Sequence, residues 1–287
     1  MTSVAGCTDA IGRGMTVETW LPSPRVIDRD GERYFFRAIS PDSMEGFSED
    51  LDRTDWENTQ DSVRELYGRP RVSEVTQQIQ AGPSRFRFEM VDHEVDIDIV
   101  ERDLRDGGFQ FVWEHEDYEV YEHEDSPELG VAVQDGRYID SDVRGSQMED
   151  AETLLRRVID TSEGSEETYT EAEPVFEEVL GELTQNYYFW GNMHESPEET
   201  DVSRGRFTGH ISTGVSIDLD SPESIVTTVL GFESDGDFFE RDIEDWTREE
   251  TVFDDLRDIQ VEPSGRLAII EGSIPTREVL DWIPQYP

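Results

Sequence analysis

Lysine is missing from this chain altogether: all 24 basic residues are arginine. Its absence excludes Schiff-base chemistry, a lysine general base and the lysine-bearing phosphate loop. Cysteine occurs once, at Cys7. One thiol leaves no internal disulfide, no cysteine-rich zinc module and no iron–sulfur ligation. No apolar run approaches the ~20 residues that a helical membrane span requires. Basic charge is also too sparse for a nucleic-acid surface. Arg64, Arg69, Arg71, Arg85 and Arg87 form its densest cluster, amid acidic neighbours, so pairing with carboxylates is the expected use and no nucleic-acid partner is expected.

Acid fills the chain instead. Sixty-nine Asp and Glu give a net charge of −45 over 287 residues. High net charge with few apolar residues is a signature of disorder. Six Trp, nine Tyr and fourteen Phe, set in periodic apolar segments, argue for a folded body. In molar salt the Debye length falls to about 3 Å, so surface carboxylates repel only at contact distance. The composition is that of a halophilic protein, and its acidity says little about specific partners.

Around the lone cysteine the sequence reads Ser3-Val4-Ala5-Gly6-Cys7. This segment resembles the lipobox of haloarchaeal lipoproteins, in which small residues admit a membrane peptidase and the thiol receives lipid. The resemblance implies lipid attachment at Cys7, a membrane partner reached through that lipid, and a location on the outer face of the cell membrane. An accidental Cys7 on a cytoplasmic accessory subunit is the alternative. A secretory signal normally precedes such a cysteine, so the resemblance carries the expectation of further sequence upstream.

Residues 1–19 then read as lipobox and flexible tether. A strand is expected over 33–39, after the Asp30-Gly31 turn signal. Short helices are expected over 60–67 and 72–80. Phe86, Phe88 and Met90 alternate as a strand. Asp96 reads as the cap of a helix carrying Ile97, Val100 and Leu104, which Gly107-Gly108 ends. Hairpins follow around Glu116-Asp117 and Asp135-Gly136. An amphipathic helix is expected over 149–159, with Leu154, Leu155, Val158 and Ile159 on its apolar face. Residues 163–173 are polar and acidic, the expected linker between domains at 20–162 and 174–287. Pro174 opens the next helix. Strands over 186–190, 207–219 and 225–232, a helix capped by Asp237 and a hairpin around Pro263-Ser264-Gly265 complete the chain. Strands in meanders argue for α+β with antiparallel sheets, helices packed on one face, and two similar halves.

Candidate chemistry is thin. His115 and His123 flank an acidic hairpin, where two imidazoles and nearby carboxylates would suit a divalent metal. Asp92, Glu94, Asp96 and Asp98 alternate, but the sixth position of a calcium loop counted from Asp96 is Glu101, not Gly, so a capped helix start is favoured. No Gly-x-Ser-x-Gly elbow exists, and His210 and Ser212 read as ordinary exposed positions. The six tryptophans are core anchors by default, with a stacking platform as the functional reading. Trp282, Pro284, Tyr286 and Pro287 form an apolar tail that folds back or docks a protein partner. The sequence therefore points to a non-catalytic binding or structural module without a cofactor, with a carboxylate- or metal-dependent hydrolase as the remaining alternative.

Overall fold

The computed structural model describes residues 17–27, 33–82, 86–144, 150–236, 238–249 and 253–283. Cys7, residues 1–16 of the expected tether, Arg85, Asp237 and the tail beyond 283 lie outside the described residues; the last three tether positions are not free chain but open a 3-10 turn, Val17–Trp20, with Val17 fully buried.

The chain enters through a short helix, α1 (Pro24–Ile27), and then the first strand, β1 (Phe35–Ile39). Two helices follow, α2 (Pro41–Glu45) and α3 (Arg53–Arg64), the second capped by Asp52, whose side chain accepts from the Thr54 amide at 2.8 Å. Strands β2 (Val75–Gly82) and β3 (Arg87–His93) lead to α4 (Ile97–Asp106). Asp96 caps α4 as the sequence implied, accepting from the Asp98 amide at 2.9 Å, and Val100 and Leu104 are fully buried beneath it. A meander follows: β4 (Phe109–His115), β5 (Tyr118–His123), β6 (Ser126–Gln134) and β7 (Arg137–Asp142).

Helices α5 (Ala151–Ser162), α6 (Tyr169–Ala172) and α7 (Pro174–Gly181) connect this half to the next. There β8 (Tyr188–Met193), β9 (His210–Asp218) and β10 (Glu223–Phe232) run consecutively. Helix α8 (Glu240–Glu249) then crosses to β11 (Arg257–Ser264), which pairs with β12 (Leu267–Pro275) before α9 (Val279–Trp282).

Among the described residues, all twelve strands join one antiparallel sheet in the order β11-β12-β10-β9-β8-β1-β2-β3-β7-β6-β5-β4. Each half repeats one path. Three consecutive strands run outward from the centre, a helix jumps to the outer edge, and the chain meanders back. The halves meet where β1 pairs with β8, from Phe35 opposite Asn192 to Ile39 opposite Tyr188.

The α+β class and the antiparallel meander are as the sequence implied. Helices, however, cover both faces. On one, α5 and α7 bury Leu154, Leu155, Val158, Phe176 and Val179 against Phe36, Phe88 and Ile139. Helix α7 rides directly on Gly214, where a Cβ would come within 2.7 Å of Val179 and Leu183. The opposite face holds two separate clusters. One packs α4 on Val91, Val131 and Tyr138; the other packs Ile243 of α8 near Val215, Leu230 and Phe232.

Two expectations are corrected. Residues 75–80 form a central strand: Ile79 lies with Phe36 and Phe88 in one core, while Gln78 and Gln80 face the other side. The segment 163–173 is not a free linker, because Tyr169 is fully buried and its amide donates to the Leu21 carbonyl at 2.7 Å. Pairing of β1 with β8 makes 20–162 and 174–287 parts of one sheet. Among the described residues, no helix is long and apolar enough to cross a membrane.

Candidate ligand-binding cavity

Strand register decides which side chains share the face beneath α8. One rung across five strands reads Gln80, Arg37, Trp190, Val215 and Thr228, from β2 through β1, β8 and β9 to β10. At ~4.8 Å per strand spacing this spans about 19 Å. The next rung carries Phe35, Asn192, Thr213 and Leu230.

Over these rungs α8 presents Trp246, which lines the space between helix and strands. Trp246 meets Phe207 edge-on at 5.7 Å and Phe253 edge-on at 4.8 Å, so its ring is fixed between them. Gly205 sits in the left-handed region at φ 61°, and a Cβ there would fall within 2.6 Å of the Trp246 indole. Glycine satisfies both requirements at once, since it alone adopts this conformation freely and carries no side chain.

The space left is a cavity of about 400 Å³, within the range of small-molecule sites. Phe35, Tyr188, Trp190, Trp246, Phe253 and Trp282 supply its aromatic walls. Arg37, Arg204, Asn192, His210 and Thr213 supply its polar groups, and no Asp or Glu is among the described lining residues. A second cavity of about 330 Å³ shares Arg37 and Tyr188 with the first; Asn58, Thr59, Ser62, Gln78 and Gln80 add amides and hydroxyls there, and Asp55 adds a carboxylate.

His210 is buried, not exposed as the sequence suggested, and so is Ser212. Its Nε2 lies 2.9 Å from the Ser212 carbonyl and 3.0 Å from Thr213 Oγ1. A carbonyl can only accept, so this bond places the proton on Nε2 and leaves Nδ1 as an acceptor. Burial, reinforced by His194 at 4.4 Å between ring centres, pushes the His210 pKa down to about 3. The ring is therefore neutral at ordinary pH. Arg204 pairs with Asp201 at 3.6 Å. Arg37 has neither an ion pair nor a hydrogen bond with any described residue, and it is exposed. Two buried atoms at this site also lack hydrogen-bond partners among the described residues, Asn192 Oδ1 and Trp246 Nε1.

The histidines singled out from sequence are not brought together. Glu116-Asp117 is the expected turn, but His115 pairs with Tyr118 beside it and His123 with Phe109 at the far end. Five residues along a strand amount to ~17 Å. They also face opposite sides. His115 Nε2 lies 2.6 Å from Asp160 of α5, whereas His123 packs edge-on against Phe109 at 5.2 Å. That register corrects the expectation of a shared metal site. No group of three His, Cys, Asp or Glu among the described residues is placed to hold a metal ion. The alternating acids have separate jobs, with Asp92 pairing with Arg137 and Asp96 capping α4. Arg64 and Arg71 pair with Asp61 and Glu74, as expected for that arginine cluster.

Arg37 and Asn192 escaped the sequence reading. Alternation over β1 puts Arg37 on the same face as Phe35 and Ile39, and a charge inside an apolar strand was the available signal.

No protein-family model and no curated protein sequence matches the chain. Among solved structures, it is similar to that described as crystal form III of TP0453. The TM-score is 0.53 and the identity 13%, covering 91% of this chain and 97% of that one. Crystal form I of TP0453 gives a TM-score of 0.52 at 13% identity, over 91% and 96%. At such identity the likeness speaks for the fold alone.

Proposed function

We propose that this chain is a non-catalytic ligand-binding module of a halophilic archaeon, carried on the outer face of the cell membrane by lipid on Cys7. One observation carries the binding half of this reading, the aromatic cavity of about 400 Å³ held open between α8 and the sheet. Its described lining offers flat apolar faces, guanidinium groups and neutral hydrogen-bonding side chains, which is chemistry for holding a small molecule. Support for the anchored half comes from the Val4-Ala5-Gly6-Cys7 segment and the polar stretch that follows it. A single acyl chain anchors marginally, so lasting attachment calls for a second chain or a protein partner.

Replacing Cys7 tests the location. Cys7→Ser should release the protein from washed membranes into the medium, and unchanged retention, or a wild-type protein found wholly in the cytoplasm, sinks the anchored reading. The binding reading is tested on the full chain in concentrated salt, by titrating ring-containing small molecules in a calorimeter. Saturable binding that Trp246→Ala weakens is the expected result.

A further inference from the structure

Acidic residues make up 69 of 287 positions, yet none of the described residues lining the cavity under α8 is acidic, while two are arginine. Arginines elsewhere on the described surface are largely occupied: Arg53 holds Glu57, Arg144 holds Asp142, Arg248 holds Asp245 and Arg266 holds Glu178. Arg37 holds no described carboxylate, although it stands at the centre of the sheet and at the junction of two cavities. Asp55 lines the second cavity with Arg37 but forms no ion pair with it among the described residues, so the anion-binding face of Arg37 is free on the side of the acid-free cavity under α8. A guanidinium presents a planar fork of donors suited to a carboxylate.

The geometry points to a small organic anion with a flat ring as the occupant, its carboxylate on Arg37 and its ring among Trp190, Trp246 and Trp282. This assignment rests on the ligand-binding reading above and names its ligand class. Arg37 and Trp190 are cross-strand neighbours, so a ring on the indole and a carboxylate on the guanidinium need only the reach of one short side chain. His210 adds no charge, because its imidazole is neutral. The net charge of −45 would repel an anion at low ionic strength, but concentrated salt screens that repulsion beyond about 3 Å and leaves the local contact to decide. The amides and hydroxyls of the second cavity lie on the far side of Arg37, where polar substituents of a larger ligand would be received.

The test compares 2-naphthoate with its uncharged analogue 2-naphthamide, by calorimetry on the full chain in concentrated potassium chloride. Naphthoate is expected to bind more tightly. Arg37→Gln should remove that preference by weakening naphthoate on the order of tenfold, the loss of one charge-assisted hydrogen-bonding partner. Arg25→Gln, an exposed residue of α1 that does not line the cavity, should leave the preference intact and so controls for net charge. Arg37 is exposed, so its replacement leaves the packed core in place, and circular dichroism of the variant checks this. Equal binding of the two compounds, or a preference that survives Arg37→Gln, overturns the anion assignment while the cavity still stands as a ligand site. Failure of both compounds to bind overturns the assignment and the binding reading together.

Discussion

Helices α4 and α8 occupy equivalent places in the two halves of the sheet. Each has ten residues, each follows the third strand of its half, and each crosses to the outer edge. They land differently. Aliphatic residues seat α4: Val100 and Leu104 are fully buried, and space is so short that a Cβ on Gly68 would come within 3.2 Å of Val100. Helix α8 sends Ile243 into the core, but its neighbouring contact is the large Trp246 ring, braced by Phe207 and Phe253. Aliphatic packing closes one half. Aromatic braces hold the other open. One path of the chain thus gives a structural half and a half with room for a ligand, and the choice lies in a few side chains.

The largest expected effect tests that contrast by overfilling. Val100→Phe has no space to enter and should destabilise the protein by about 3 kcal/mol, whereas Val215→Leu on the cavity floor should be nearly neutral. Denaturant titration of both variants in the same salt decides the matter, and equal losses would mean that α8 is seated as tightly as α4. Gly205→Ala should cost about 2 kcal/mol, combining a left-handed backbone with displacement of the Trp246 ring. Its effect on ligand binding should exceed that of any change on the α4 side. Asp96→Ala removes the cap of α4 and should cost about 1 kcal/mol without altering the cavity.

Two pH dependences of opposite sign sharpen the comparison from another direction. In the first half Asp140 is pushed up to about 7, by burial and by Glu89 opposite it. Its protonated form is favoured in the folded state, so its contribution is complete below about pH 4 and is lost as pH rises to 7. In the second half the folded pKa of His210 is depressed to about 3. Its contribution is present above pH ~6.5 and is lost as pH falls towards 3. Stability curves of Asp140→Asn and His210→Gln against pH should therefore depart from the wild type in opposite directions between pH 4 and 6.5. Parallel curves would refute both assignments.

Local signals carried much of this fold. Asp96 with Gly107, the Asp135-Gly136 hairpin and Pro174 at a helix start all act within a few residues of themselves, and each is where the sequence implied. What escaped was non-local. Val75 and Ile79 are four apart and mimic a helical face, but hydrogen bonds to β1 and β3 hold the segment extended. Two domains were inferred because nothing near β1 announces a partner some 150 residues away. The cavity was hidden for a similar reason. Alternation places Arg37 on a face, yet only the register of β8, β9 and β10 shows that aromatic rings share it. The histidine pair failed in the same way, since residues flanking one turn can still lie far apart along its arms.

The seam between β1 and β8 is five residue pairs long, and it joins the two halves of a wide sheet at its centre. Arg37 stands on one side of that seam and Trp190 on the other. A molecule resting on both would clasp the halves, and parting them would first require its release. Occupancy should then slow deuterium uptake at the amides of Phe36, Ala38 and Gly191, even though none of these three residues lines the cavity.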